Sequence, residues 1–186
     1  MRIISGSLRG RQLHPPKGLP VRPTTDLAKE SLFNILLNRV DYEESAVLDL
    51  FSGTGSISLE FASRGARDVV SVELNHKCAE FILKSIHEYK LENVFVVKAN
   101  VFNYLKSVKR KFDVIFADPP YEMKESSLLP GLVMEHELLE EDGWFILEHD
   151  STSSYKNHPG FVEERQYGKV HFSFFQISPS GSDGNG

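Results

Sequence analysis

The sequence predicts an α/β fold built on a doubly wound, mostly parallel sheet, with an antiparallel hairpin near the C-terminus. From residue 46 onward, short apolar runs alternate with helical patterns. Repeated βα units with near-continuous apolar strands indicate parallel strands that helices cover on both faces. Two later runs, near residues 161–166 and 170–177, are rich in β-forming residues and close enough to pair through residues 167–169.

Composition bounds the class of protein. The chain has 186 residues, and its 40% hydrophobic and 25% charged content is ordinary for a globular protein. No apolar run approaches the roughly 20 residues of a membrane span, and the N-terminus lacks the apolar core of a signal peptide. The single cysteine, Cys78, excludes an intramolecular disulfide and favours a reducing compartment. We therefore expect a cytoplasmic protein with no membrane association.

We expect one domain over residues 1–178, with an arm (1–24), a leading helix (25–40) and a core (46–178), followed by a flexible Gly/Ser-rich tail (179–186). An apolar stripe at helical spacing predicts the leading helix, and the three residues before its first turn, 24–26, offer N-caps. Apolar runs predict core strands at residues 46–51, 69–73, 94–97, 112–117 and 144–148. Periodic patterns predict core helices at residues 56–64, 76–89, 101–108 and 128–139, the last with Pro130 in its first turn.

The net charge of −5 is unevenly distributed. Residues 1–25 carry +5 with no acid, and the remaining 161 residues carry −10. A basic arm on an acidic body predicts a local surface for anions such as nucleic-acid phosphates. The glycines and prolines of the arm favour a small hairpin or an extended segment, and a solvated, partly disordered tail is the alternative. The arm's cations are Arg2, Arg9, Arg11, Lys17 and Arg22.

The fourth predicted strand ends in Asp118, Pro119, Pro120 and Tyr121. Proline has no N–H and a fixed φ, so the strand cannot continue pairing and a rigid corner follows. Open α/β sheets bind ligands at this end of their strands. The corner offers a carboxylate, a backbone carbonyl and an aromatic ring, which together could hold an exocyclic amine and stack its base. The alternative is an ordinary Pro-Pro turn after a buried strand.

The first βα turn carries a glycine-rich loop that suits a nucleoside cofactor. Gly53 and Gly55 allow close backbone approach, and Glu73 ends the next strand at a spacing typical of a ribose-binding carboxylate. A dinucleotide would favour a third glycine at Ser58, and Asp49 would repel its pyrophosphate. The same Asp49 suits a cation such as the amino group of S-adenosylmethionine, which we therefore expect as the cofactor.

These motifs resemble those of the Rossmann-like S-adenosylmethionine-dependent methyltransferases. More narrowly, the chain resembles the bacterial 16S ribosomal RNA guanine-N2 methyltransferases of the RsmD type, from Arg2 to about Gly168. The glycine loop and D-P-P-Y are shared by many methyltransferases, whereas the arginine-rich arm followed by R-P-T-T-D is more discriminating. Asn100 departs from the family pattern where an aspartate often contacts adenine, and Ser58 where a glycine is frequent. The segments that carry the resemblance are 2–13, 22–26, 29–34, 47–55 and 63–66.

The resemblance implies roles for individual residues. Asp118 and the Pro119 carbonyl would accept hydrogen bonds from the target amine, with Pro120 completing the corner and Tyr121 stacking on the base. Glu73 would hold the ribose hydroxyls, and the arm would bind RNA. The adenine would lie along Val101 and Asn100, whose side-chain oxygen could face the adenine amine. The methionine moiety would be surrounded by Asp49, Phe51, Gly53, Thr54, Gly55 and Ser56.

The resulting hypothesis is methyl transfer to guanine N2 in small-subunit ribosomal RNA, by a monomer acting on rRNA or on the small ribosomal subunit. No metal-ligand spacing is present, and the chemistry needs no metal. Three alternatives stay open: an adenine-N6 methyltransferase on DNA or RNA, a catalytically silent rRNA-binding module, and, furthest, an NAD-dependent oxidoreductase. The intact corner at residues 118–121 argues against the silent module.

Overall fold

The computed structural model describes residues 1–19 and 25–177, which form a seven-stranded sheet with helices on both faces. The strands are β1 (Ala46–Leu50), β2 (Asp68–Val72), β3 (Val94–Val97), β4 (Phe112–Ala117), β5 (Leu139–His149), β6 (Phe161–Tyr167) and β7 (Val170–Phe175). The helices are α1 (Asp26–Leu36), α2 (Ser56–Ser63), α3 (His76–Tyr89), α4 (Val101–Ser107) and α5 (Leu129–Glu135), and a 3₁₀ turn (Lys124–Leu128) precedes α5.

The strand order is β3-β2-β1-β4-β5-β7-β6. The first five strands run parallel, and β7 pairs antiparallel with both β5 and β6. The predicted mostly parallel sheet with a C-terminal hairpin is therefore confirmed. The order reverses between β1 and β4, and such a switch point opens a crevice at the carboxyl ends of the strands.

Burial on both faces explains the uninterrupted apolar runs. Every residue of β1 is buried, and alternate strand residues enter two separate core clusters. On one face Val47, Val114 and Phe116 pack with α1 and α2. On the other face Leu48 and Ile115 pack with α4 and α5.

Two predicted helices end earlier than expected. Helix α1 is capped by Thr25, as predicted, but ends at Leu36 and is followed by a turn. The helix expected at 128–139 begins after a 3₁₀ turn and ends at Glu135, because Glu137 adopts a left-handed φ of 51° that breaks the helix. Leu139 instead pairs with Phe112 as the first residue of β5. Leu138, which was also predicted to be helical, is buried in the loop before β5.

The N-terminal arm forms a hairpin that is packed against the body. Arg2 and Gln12 form an antiparallel bridge, and Ile3 and Leu13 are buried against Leu59 of α2. Positions 20–24, which include Arg22 and Thr24, lie outside the described residues, as does the tail from 178. Within the described ranges, no helix is long and apolar enough to cross a bilayer.

Candidate active site

One large cleft of about 1480 Å³ opens at the carboxyl edge of the sheet. Its walls are the loop after β1, the corner after β4 and the turn between β6 and β7. All the residues predicted for the cofactor and the target amine line this cleft except Gly55. The structure thus brings together motifs that are as much as seventy residues apart in the chain.

The loop after β1 reverses direction through unusual backbone conformations. Phe51 has a left-handed φ of 60°, which is uncommon for a residue with a side chain. Gly55, the N-cap of α2, has a φ of 75°, and a Cβ there would come within 2.9 Å of Ile82 Cγ1. Gly55 is therefore needed for the packing of α2 on α3, behind the cleft wall, which explains why it does not line the cleft.

Asp49 is 1% exposed and is held by the first turn of α2. Its Oδ2 accepts hydrogen bonds from the Ser58 amide at 3.0 Å and from the Ser58 hydroxyl, which also contacts the Ser71 hydroxyl. Burial raises the Asp49 pKa to about 7; the charges of Asp118 and Glu73 act in the same direction, and the Ser58 bonds oppose them. A cationic group bound beside Asp49 would therefore favour its ionised form.

Ser58 has a role that sequence reasoning missed. The sequence presented it as the place of an absent glycine, whereas the structure shows a side chain that anchors the Asp49 carboxylate. The sequence signal that could have identified this role is the spacing of nine residues between Asp49 and Ser58. That spacing places the first turn of α2 next to the end of β1.

Glu73 lies just after β2, is 8% exposed and braces the glycine loop. Its Oε2 accepts from the Gly53 amide at 2.7 Å, and its Oε1 accepts from the Asn75 amide at 2.6 Å. Each carboxylate oxygen has a second lone pair. Glu73 can therefore hold the loop and still accept hydrogen bonds from a ribose diol.

Asn100 is the N-cap of α4. Its Oδ1 accepts from the amides of Phe102 at 3.0 Å and Asn103 at 3.2 Å. Because the oxygen is engaged by the helix, the group left to meet a ligand is the side-chain NH₂, a donor. This differs from the acceptor that the sequence suggested, and it suits a ring nitrogen of adenine better than the adenine amine.

The corner after β4 keeps one carbonyl at the cleft. The Pro120 carbonyl accepts from the Met123 amide at 2.9 Å, which closes a turn. Within the described part of the chain, no hydrogen bond reaches the Pro119 carbonyl. Asp118 is half-buried, and Tyr121 is 43% exposed at the rim. The arrangement supplies a carboxylate and a carbonyl next to each other, with an aromatic ring beside them.

The cleft residues that were not predicted include Glu148 near the end of β5, Lys169 in the β6–β7 turn and His171 at the start of β7. Glu148 carries the signal that identified Glu73, an acid that ends an apolar strand. No sequence pattern identifies Lys169 and His171 as cleft residues. The β6–β7 hairpin was predicted, but the sequence did not indicate that its turn lies against the cleft.

The lining that the described residues give to the cleft is strongly acidic. Among the described residues, Lys169 is the only lysine or arginine that lines it. A negative field favours a sulfonium or ammonium group and opposes bare phosphate. RNA phosphates would therefore be contacted mainly outside the cleft. The lining acids are Asp49, Glu73, Asp118, Glu122, Glu148 and Asp150.

The arm's cations within the described residues, Arg2, Arg9, Arg11 and Lys17, do not line the cleft. The hairpin lies along α2, and Ser7 donates to the carbonyl of Ser63, the last residue of that helix. Arg9 therefore lies at the end of α2 remote from the cleft, exposed like Arg11 and Lys17. Arg2 is nearer the cleft but pairs with Asp26 at 3.6 Å. Searched over 1–19 and 25–177, no group of His, Cys, Asp and Glu side chains is arranged to hold a metal ion.

Comparison with known proteins gives consistent matches. The model of the family described as conserved hypothetical protein 95 matches residues 1–176. The ribosomal RNA small subunit methyltransferase D of Escherichia coli (strain K12) is 34% identical, over 80% of this chain and 71% of the relative. The solved structure of yhhF from Escherichia coli is 28% identical with a TM-score of 0.84, covering 95% of this chain and 97% of that one.

A more distant structure shares the fold. It is the Thermus thermophilus 16S rRNA N2 G1207 methyltransferase (RsmC), solved in complex with AdoMet and guanosine. It is 22% identical with a TM-score of 0.69, covering 87% of this chain and 46% of that chain.

Proposed function

Because this chain belongs to the family described as conserved hypothetical protein 95, the RsmD family, we propose that it methylates the N2 amine of a guanine in 16S ribosomal RNA. The chain is an S-adenosylmethionine-dependent methyltransferase, and its relatives are named for ribosomal RNA methylation. The guanine N2 target is the step that we infer. The observation that carries transfer to an exocyclic amine is the placement of Asp118 and the Pro119 carbonyl across one cleft from the Asp49 loop. The choice of guanine N2 rests on the resemblance of residues 2–26 to the guanine-N2 family.

The residues of the cleft fit S-adenosylmethionine. Buried Asp49, with a pKa near 7, suits the amino group of the methionine moiety, and the remaining lone pairs of Glu73 suit the ribose hydroxyls. The Asn100 NH₂ and Val101 would lie along the adenine. When bound, the cofactor supplies an electrophilic methyl group on a sulfonium.

The corner residues would activate the target amine. An exocyclic amine is a poor nucleophile because its lone pair is delocalised into the ring. Asp118 and the Pro119 carbonyl would accept hydrogen bonds from the two N–H groups of the amine. This arrangement favours a pyramidal nitrogen whose lone pair points away from them. Holding the amine in that geometry supplies much of the rate through alignment, and the fixed acceptors stabilise the positive charge that develops on nitrogen.

Access to the corner requires a base outside its helical stack. A base within a duplex cannot reach a pocket of this kind without being turned out. Tyr121, exposed at the rim, offers a ring on which the extruded base can stack. Because the proposed substrate is ribosomal RNA, we propose that the protein acts in the cytoplasm. We also propose that it acts as a monomer.

The alternative product is N6-methyladenosine, since the same corner could hold an adenine amine. The experiment is to incubate the protein with labelled S-adenosylmethionine and small ribosomal subunits that lack the modification, and to identify the labelled nucleoside by mass spectrometry. We expect N2-methylguanosine. Labelled N6-methyladenosine would favour the alternative, and no label in any ribosomal substrate would contradict both.

Asp118→Ala tests the role of the corner in the same assay. We expect it to remove nearly all methyl transfer and to leave cofactor affinity within a few-fold, because the lost contact is made to the substrate amine. Substantial turnover by this variant would assign the chemistry elsewhere.

A further inference from the structure

The strand order divides the cleft into a cofactor half and a substrate half. The side chains assigned to the cofactor lie at the carboxyl ends of β1, β2 and β3, and the corner assigned to the target amine follows β4. Strands β5 and β7 lie on the other side of β4. Because the methyl donor would approach the corner from the β1 side, we expect the sugar and phosphates of the target nucleotide to lie toward β5 and β7.

Lys169 lies in this substrate half, in the turn between β6 and β7. Its side chain is exposed, and it is the one lysine or arginine among the described residues that line the cleft. The acids of that lining oppose the negative charge of RNA phosphates. A phosphate that enters the cleft with the target base therefore needs a cation, and lysine is a suitable partner for it.

The turn that carries Lys169 has a defined backbone conformation. Tyr167 pairs with Val170, so the loop consists of Gly168 and Lys169 alone. Gly168 has a φ of 64°, whereas Lys169 keeps a negative φ, as a type II′ hairpin turn requires. The side-chain amide of Gln166 donates to the Gly168 carbonyl at 3.0 Å. The Lys169 side chain therefore starts from a fixed point above the cleft.

Buried polar side chains hold the same hairpin against β5. His149 of β5 is the cross-strand partner of His171 of β7, and its Nε2 lies 2.8 Å from the Ser173 hydroxyl. Glu164 of β6 pairs with His171 Nδ1 at 2.9 Å. These contacts join the three strands below the turn. A charge on a rigid support of this kind can be positioned accurately against a ligand.

Strand register gives the distance between the corner and the turn. Ala117 of β4 pairs with Leu147 of β5, which pairs with Ser173 of β7. Toward the cleft, Asp118 lies one residue beyond this row and Lys169 lies four residues beyond it. Two strand spacings across the sheet and three residues along it place their Cα atoms about 14 Å apart. A nucleotide with its amine at the corner, together with the long lysine side chain, can span that distance.

We propose that Lys169 binds an RNA phosphate next to the target base. The target nucleotide is then held at both ends, by its amine at the corner and by its backbone at the β6–β7 turn. This inference rests on the proposed function, which it deepens by stating where the RNA backbone enters the cleft. The contact does not depend on which base is methylated, because the phosphate is common to all nucleotides.

Lys169→Ala tests the contact with labelled S-adenosylmethionine and small ribosomal subunits that lack the modification. We expect the KM for the subunit to rise by about three- to tenfold near 0.1 M salt, the effect of about one lost phosphate contact. The lost contact is made in the ground state as well as in the transition state, so kcat should stay within about twofold. Cofactor affinity should not change. Lys169→Arg keeps the charge and should recover most of the loss.

Lys156→Ala is the matched control. Lys156 is exposed in the loop after β5 and does not line the cleft, so its replacement removes the same charge nearby and should leave the KM unchanged. A wild-type KM in Lys169→Ala would overturn the proposal. An equal rise in the two variants would also overturn it, because the effect would then come from overall charge.

Crosslinking identifies what the turn contacts. Cys78 is the single cysteine of the chain and is buried, so the thiol of Lys169→Cys can be labelled selectively with a photoreactive azidophenacyl group. After irradiation with the unmodified subunit, primer extension maps the crosslinks on the RNA. We expect them at the nucleotides that flank the one methylated by the wild type. Crosslinks only to ribosomal proteins or to distant RNA would contradict a phosphate contact beside the target base.

The failure of this inference can be told from failure of the proposed function. If the wild-type product is N2-methylguanosine and Lys169→Ala has the wild-type KM, only the role of Lys169 is lost. If the product is N6-methyladenosine, the guanine target is overturned, and a raised KM in Lys169→Ala still supports the phosphate contact. If no ribosomal substrate is labelled, both are overturned.

Discussion

At the scale of single residues, the chemistry of the cleft depends on carboxylates that the fold buries at the ends of strands. Asp49 is held by Ser58 of α2, and Glu73 is held by the amides of Gly53 and Asn75. Each therefore has a structural task as well as the ligand contact that we propose for it. Substitutions at these positions should show both effects.

Asp49 predicts a pH dependence of cofactor binding. Its raised pKa of about 7 means that below pH 7 the side chain is mostly protonated and must lose a proton when a cation binds beside it. Cofactor affinity should therefore increase as pH rises from about 5.5 to 7.5, by up to about tenfold per pH unit below pH 7. Calorimetric titration across that range measures the effect.

Asp49→Asn is the control for that prediction. It keeps an oxygen that can accept from Ser58 but cannot ionise, so its affinity should be lower and nearly independent of pH. A wild-type affinity that stays constant over the range would show that Asp49 does not face the cation.

Glu73 predicts a combined loss of affinity and stability. Glu73→Ala removes the acceptors of the Gly53 and Asn75 amides as well as the proposed ribose contact. We expect cofactor binding to weaken by about 1–3 kcal/mol and the free energy of unfolding to fall by a similar amount. Calorimetry and urea denaturation measure the two effects. Glu73→Gln, which retains one acceptor, should recover part of the stability; unchanged cofactor affinity in both variants would remove Glu73 from the site.

At the scale of elements, the N-terminal hairpin is attached to the body by a buried ion pair. Glu60 of α2 accepts from the amides of Ile4 at 2.8 Å and Ser5 at 3.0 Å, and it pairs with Lys29 of α1 at 3.5 Å. The Lys29 ammonium donates to the Arg2 carbonyl at 2.6 Å. Both charged side chains are fully buried, and burial lowers the Lys29 pKa. This contact ties the hairpin, α1 and α2 together.

Glu60→Ala should therefore destabilise the protein strongly. It leaves a buried ammonium without its carboxylate and two backbone amides without acceptors. We expect the free energy of unfolding to fall by about 3–5 kcal/mol, as measured by urea denaturation. Glu80→Ala, which breaks an exposed pair with His76, is the control and should change stability by no more than about 0.5 kcal/mol. A small loss at Glu60 would mean that the hairpin contributes little to stability.

At the scale of the whole molecule, the exposed arginines of the hairpin and the acids of the cleft occupy different places. The cleft is acidic, and the exposed arginines of the hairpin lie along α2 and toward its far end. An RNA whose target base enters the cleft would have to extend over α2 to reach Arg9 and Arg11. Such a footprint suits a folded RNA or a ribosomal particle better than a short single strand.

Replacement of Arg9 and Arg11 by alanine tests this charge separation. We expect weaker RNA binding and a salt dependence of log K reduced by about one to two units, since each lost phosphate contact removes about one unit. Filter binding at several salt concentrations gives the slope, and cofactor affinity should not change. Lys109→Ala with Lys111→Ala removes the same charge from another exposed site, and an equal effect there would mean that binding depends only on overall charge.

The sequence by itself determined the order of strands and helices, the glycine loop and the acids that end the strands. These are local properties, because a buried parallel strand requires an apolar run and a tight turn requires glycine or proline. The prediction was wrong at Leu139, which was assigned to a helix and lies in β5. A buried leucine fits a helix and a strand equally well, so the local pattern could not separate the two.

Only the tertiary structure decided how the hairpin docks, where the β6–β7 turn meets the cleft and which residue stands beside Asp118. Glu60 holds amides that are 55 and 56 residues away in the chain, and Glu148 is aligned with Asp118 by strand register. The sequence predicted that Asn100 lies at the cleft. The structure shows that its Oδ1 caps α4, which leaves its NH₂ group for a ligand. These outcomes depend on distant segments being packed together, and no local pattern of residues encodes that packing.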